Sequence, residues 1–196
     1  MIRALKTAKE SLQAAGIKVV DWEPYKSMEM LEIIVSNQHR SKRSEIANLN
    51  KVTLFFPDGG KTITDLVNAS GEPMNLEASS FLQHARELTV AENWAYNDRR
   101  DKLRAEFHAL MKERGVDVIV CPPYVGAAPL RNKMDYGTYT MLWNMLDQPA
   151  LVFPTGQFVD PALDPVDASY TPTNPMDQQQ YDKCMHPTTP KLWTVG

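Results

Sequence analysis

The chain has 196 residues, with 43% hydrophobic and 23% charged side chains, the balance of an ordinary globular domain. A net charge of -3 gives no overall pull toward nucleic acid or an anionic membrane. The two cysteines, Cys121 and Cys184, lie far apart outside any C-x-x-C spacing, which argues against a disulfide scaffold and a thiolate metal site.

The opening "MIRALKTAKES" is charged and amphipathic and has no apolar secretory core. No apolar run approaches the length of a membrane span, so a cytoplasmic setting is expected. Ile2, Leu5, Ala8, Leu12 and Ala15 form one stripe at helical spacing over 2–15. Gly16 follows, at the place where helices often end in a left-handed residue. "IKVV" (17–20) then reads as a short buried strand.

The segment 35–57, "VSNQHRSKRSEIANLNKVTLFFP", breaks the pattern on both sides. Four basic residues against one Glu give it a charge of +3, leaving -6 on the rest. It lacks the interleaved aromatics and the recognisable module of a nucleic-acid binder. "PDGGKT" (57–62) has the end of a phosphate loop but not its G-x-x-x-x-G-K-[ST] spacing; it reads as a loop before a helix starting near Thr62.

Thr89 and Glu92 form a T-x-x-E capping box. A helix follows, with Tyr96, Leu103, Phe107, Leu110 and Met111 on its buried side, and Gly115 ends it. Asp98, Asp101 and Glu106 alternate with Arg99, Arg100 and Arg104, which reads as solvated ion pairing rather than acid–base chemistry. "VDVIV" (116–120) is a second strand, stopped by Pro122-Pro123. A third helix at roughly 136–146 precedes a third strand, "ALVF" (150–153). Three helix–turn–strand units predict an α/β layer with mainly parallel strands. The proline-rich stretch 155–196 predicts an irregular tail.

Catalytic patterns are sparse. There is no G-x-S-x-G, and Ser79-Ser80 has no glycine beside it to build an anion cradle. His39, His84, His108 and His186 have no metal-ligand spacing, so a metal site is not expected. Cys121, at the end of a strand, reads as a small buried side chain rather than a nucleophile.

Three stretches nevertheless resemble the C-terminal part of the amidase signature family, in its fungal acetamidase-like branch. They are "RALKTAKESLQAAGIKVVDWEP" (3–24), "DGGKTITDLVNASGEPM" (58–74) and, most specifically, "DVIVCPPYVGAAPLRNKMDYGTYTMLWNMLDQPALVFPTG" (117–156). The likeness spans 1–34 and 58–182, including "DPALDPVDASYTPTNPMDQQQYD". It implies a mixed sheet with helices on both faces, and hydrolysis of carboxylic amides to acid and ammonia by a Ser–cis-Ser–Lys triad without metal or cofactor. It also implies that the Lys, both Ser and the Gly/Ser-rich oxyanion segment lie upstream of what matches Met1. No residue here then inherits a catalytic role. Pro122, Tyr139, Thr140, Trp143 and Asn144 are the expected wall of the acyl pocket, with core packing as the competing role for Trp143 and Met145.

Residues 35–57 look inserted relative to the family, and "IVSN", "ANLN" and "LFFPD" admit splice-donor, branch-point and acceptor-like codons. They are read as a translated intron. The closing "KCMHPTTPKLWTVG" only echoes the family's next segment, so the fold is expected to be truncated at both ends. Such a half-sheet predicts marginal stability and self-association through uncovered apolar surface. A non-catalytic remnant that binds a partner is the competing reading.

Overall fold

The structure, a computed structural model, describes residues 1–34, 54–83, 85–126, 129, 136–165 and 167–185. Among these residues the chain forms seven helices: α1 (Ile2–Ala14), α2 (Ser27–Ile34), α3 (Lys61–Ser70), α4 (Leu76–Leu82), α5 (Val90–Arg114), α6 (Thr138–Leu146) and α7 (Pro175–Met185). The segment read as an insert lies outside the described residues over 35–53, as does His84. The chain divides into two units: 1–23, 118–140 and 149–196 make one, and 24–117 with 141–148 the other.

The second unit holds the core. Met30, Leu31 and Ile33 of α2 are buried, as are Leu88, Leu103 and Phe107 of the α5 region and Met145 and Leu146 of α6. The α5 helix begins at the expected capping box. The Thr89 hydroxyl accepts from the Glu92 N–H at 3.2 Å, and the Glu92 carboxylate accepts from the Thr89 N–H at 2.9 Å. It ends at Gly115 with φ 63°. Of the apolar face expected on α5, Leu103 and Phe107 are buried, while Tyr96, Leu110 and Met111 are half-buried. The charged residues pair as the sequence implied: Lys102 with Asp98 at 2.7 Å and Arg100 with Asp101 at 2.8 Å. Arg99 reaches Glu29 and Glu32 of α2 at 3.3 and 3.4 Å.

In the first unit Ala4 is the buried apolar residue of α1, and Ile2, expected on its inner stripe, is exposed. The helix ends in a double-bonded turn. The Gly16 N–H donates to Gln13 O and the Ile17 N–H to Leu12 O, both at 3.0 Å, with Gly16 at φ 80°. Polar contacts tie α1 to the later chain. Arg3 donates to both carboxylate oxygens of Asp164, at 3.0 and 2.7 Å, and the Gln157 amide donates to Thr7 at 2.8 Å.

The three segments expected as strands form no ladder among the described residues, where the one bridge is an isolated antiparallel pair, Asp58 with Glu87. Several of their side chains face water, with Val118 77% exposed, Leu151 87% and Val152 70%, while Val19, Val116 and Ile119 are half-buried. A helix satisfies its backbone locally, but a strand needs a partner strand to take its N–H and C=O groups. These apolar runs keep their composition without the neighbours that would make them strands.

The proline-rich stretch is likewise not irregular throughout. α7 starts at Asn174, whose side-chain oxygen accepts from the Asp177 N–H at 2.9 Å, with Pro175 at the first helical position. Asn as cap, Pro next and an acid in the first turn is a helix start written in the sequence.

Candidate functional site

Three residues of the expected pocket wall, Pro122, Tyr139 and Thr140, lie in the first unit. Tyr139, at the start of α6, is 39% exposed and packs obliquely on Tyr136 with ring centres 6.1 Å apart. Burial pushes its phenol above the ordinary range, and the neighbouring Tyr136 and Cys121 add to the shift. The hydroxyl therefore stays protonated at neutral pH and can donate to a carbonyl oxygen but not act as a base. Pro122 follows Cys121 and is half-buried. Cys121 is itself half-buried rather than enclosed, a correction to the core role expected for it. Thr140 is exposed, and its hydroxyl is already committed, donating to Gly137 O at 3.0 Å.

Trp143 and Asn144, one turn further along α6, belong to the second unit. Trp143 is half-buried and meets Phe107 edge-on, with centroids 6.3 Å apart and planes at 76°, a favourable aromatic geometry. In this position the indole packs against the Phe107 ring. Met145 is buried outright. Asn144 is exposed and lines a hollow of about 100 Å³ with Leu54, Phe55, Arg100 and Met145. No sequence signal marks Arg100 at this place, because its pairing with Asp101 already accounts for its charge.

The turn that closes α6 explains the Leu-Asp-x-Pro pattern. The Asp147 N–H donates to Asn144 O at 3.2 Å and the Gln148 N–H to Trp143 O at 3.1 Å. That double closure places Asp147 at φ 53°, where glycine is usual, and Pro149 then bars any helical continuation. Arg104 of α5 donates to the Asp147 carboxylate at 3.0 Å.

The "DGGK" loop is built for packing. Asp58 accepts from the Gly60 N–H and the Thr62 N–H, both at 2.9 Å, so a side-chain carboxylate already fills the start of α3. The Thr62 hydroxyl and these two N–H groups hold the Asp58 carboxyl below its ordinary range. A Cβ on Gly60 would lie 2.4 Å from Leu82 Cδ2, and one on Gly59 3.0 Å from the Glu87 backbone N. The glycines let two chain segments approach closely.

Among the described residues no group of acidic, His or Cys side chains is arranged to hold a metal ion. Nor is any described helix long and apolar enough to cross a membrane.

Residues 1–176 match the Amidase family model. The chain belongs to the amidase family. Against C550.07 of Schizosaccharomyces pombe, provisionally named an amidase, it is 36% identical over 132 residues, covering 66% of this chain and 24% of that protein. Amidase 2 of Gibberella moniliformis is 26% identical over 180 residues, 87% of this chain and 32% of its own. Amidase FG08078 of Gibberella zeae is 28% identical over 196 residues, 93% of this chain and 33% of its own. The chain thus spans between a quarter and a third of the length of the curated relatives it matches. Every residue expected at the pocket wall falls within the matched range, with Pro122, Tyr139 and Thr140 in one unit and Trp143 and Asn144 in the other.

Proposed function

We propose that these residues form the acyl-pocket side of an amide hydrolase, the activity being cleavage of a small carboxylic amide to acid and ammonia. The observation that carries this reading is the family match over residues 1–176, which takes in the stretch "YTMLWNMLDQPALVFPTG". Pro122, Tyr139, Thr140, Trp143 and Asn144 would wall the pocket. Tyr139, whose phenol keeps its proton, is the residue suited to donate to the substrate's oxygen. The resemblance finds no counterpart of the triad Lys or of its two Ser within this sequence, so the 196-residue chain alone is proposed to be inactive. The same resemblance supports a mixed, mainly parallel sheet in an amidase-length protein, with 17–20, 116–120 and 150–153 as strands. It also supports a cytoplasmic site of action and no metal or cofactor.

The test is ammonia release from acetamide and benzamide by the purified chain. None is expected. Release above that of a mock preparation from the same host would refute the inactivity of the isolated chain. Residues 35–57 are proposed to be a translated intron, and a spliced transcript that still encodes "SNQHRSKRSE" would refute that.

A second reading is favoured by one observation, the exposure of Val118, Leu151 and Val152. Apolar segments this open suit association, with another copy or with a protein partner, and a chain that works by binding. Sedimentation that stays monomeric across a wide concentration range would count against self-association.

A further inference from the structure

Among the described residues two that are not glycine have positive φ, Lys26 at 44° and Asp147 at 53°. Lys26 directly precedes α2, and its carbonyl accepts from the Met30 N–H at 3.0 Å. Asp147 directly follows α6 in the double-bonded turn described above. An L-residue occupies the left-handed region at a cost, and a side-chain contact that anchors it there can offset part of that cost beside the backbone closure.

Both are held from the same helix. The Lys26 ammonium donates to the Glu106 carboxylate at 2.7 Å, and the Arg104 guanidinium donates to the Asp147 carboxylate at 3.0 Å. Glu106 also accepts from the Tyr25 hydroxyl at 3.1 Å. Arg104 and Glu106 are two positions apart on α5, a spacing that sends their side chains to different sides of the helix. They differ from two neighbouring ion pairs of α5, although Arg99 also reaches off the helix, to Glu29 and Glu32 of α2. Lys102 with Asp98 and Arg100 with Asp101 join α5 to itself, as expected of a solvated helix surface. Arg104 and Glu106 reach partners 43 and 80 residues away in sequence, and each partner is one of the two left-handed residues.

We infer that Arg104 and Glu106 are positioning residues: α5 uses one charge of each sign to fix the left-handed turn entering α2 and the left-handed turn leaving α6. Through the second turn α5 sets the last stretch of α6, which carries Trp143 and Asn144. The two contacts are mirror images in charge. One puts an acid on α5 against a left-handed cation, the other a base on α5 against a left-handed acid. Only the relevance of Asn144 to an acyl pocket rests on the amide-hydrolase reading. The test below reads no activity, so the two can fail separately.

The experiment uses the full chain and follows two signals, the indole N–H resonance of Trp143, assigned with Trp143→Phe, and the urea midpoint. Arg104→Glu should move the resonance and lower the midpoint. Arg104→Glu combined with Asp147→Lys copies the polarity that Glu106 and Lys26 already use, and should bring both signals back toward native. An unmoved resonance in Arg104→Glu, or a reversed pair no better than the single variant, would overturn the inference. If Arg104→Glu does not fold, Arg104→Gln and Asp147→Asn supply a milder cycle, free of repulsion from Asp101. In that cycle the double variant should lose no more than the worse single variant. Losses that simply add would refute the coupling.

Discussion

Replacing Phe107 with alanine tests where the stability of this chain resides. Phe107 is 1% exposed and meets Trp143 edge-on at 6.3 Å, so its removal deletes both buried area and an aromatic contact. A buried Phe→Ala change costs about 3–5 kcal/mol, of which roughly 1 kcal/mol is the ring pair. For a chain of this length that is a fall of roughly 6–20 °C in melting temperature. Phe107→Leu keeps most of the volume and should cost only about 1 kcal/mol, giving a graded series that survives if the alanine variant unfolds. Leu151→Ala is the contrast. Leu151 is 87% exposed, so its loss should stay within about 0.5 kcal/mol. Urea unfolding followed by tryptophan fluorescence reads all three variants. If Leu151→Ala costs as much as Phe107→Ala, the segment 150–153 is buried in solution, and the placement of the core in α2, α5 and α6 is wrong.

Acid should weaken the fold through two carboxylates. The Arg86 guanidinium, with the Thr89 N–H and hydroxyl, holds Glu92 down to about 2, and the Arg3 guanidinium, with the Asp160 N–H, holds Asp164 at about 2. Both are depressed below their unfolded values. Their contribution is therefore complete above the ordinary carboxylate range and lost as pH falls through the folded values, so the urea midpoint should drop between about pH 5 and pH 2. Glu92→Gln should flatten part of that slope, and an unchanged slope would remove Glu92 from the account. Gly60→Ala should destabilise by about 1–3 kcal/mol, because its Cβ meets Leu82 at 2.4 Å in a backbone at φ 79°. Gly71→Ala has φ 71° but nothing within 4 Å, and should cost only about 1 kcal/mol in thermal melts. Equal losses at the two glycines would show that the approach of Leu82 contributes nothing.

What was legible in the sequence follows the range of the interactions involved. Thr89, Glu92 and Gly115 bound α5 by bonds that span a few residues, and the structure keeps both ends where those residues put them. Gly16 ends α1 for the same reason. The start of α7 is equally local, in Asn174, Pro175 and Asp177, but it sits in a proline-dense stretch whose composition resembles irregular chain. The strands were a different matter. A short apolar run such as "VDVIV" states only that it wants burial, and what buries it lies elsewhere in the chain or outside it.

The candidate site divides along the same line. Tyr139, Thr140, Trp143 and Asn144 share one nine-residue helix, and the helix itself was visible from its pattern. Spacing cannot say which of its side chains are core and which are wall, because that depends on what α6 rests against. Phe107 answers for Trp143, and Arg104 answers for the turn at Asp147. Both come from α5, whose sequence reads only as a long charged helix. A residue such as Arg104 is therefore invisible to motif reading: its charge looks solvated until the left-handed aspartate it holds is known. That makes α5 the place to look for what positions the end of α6.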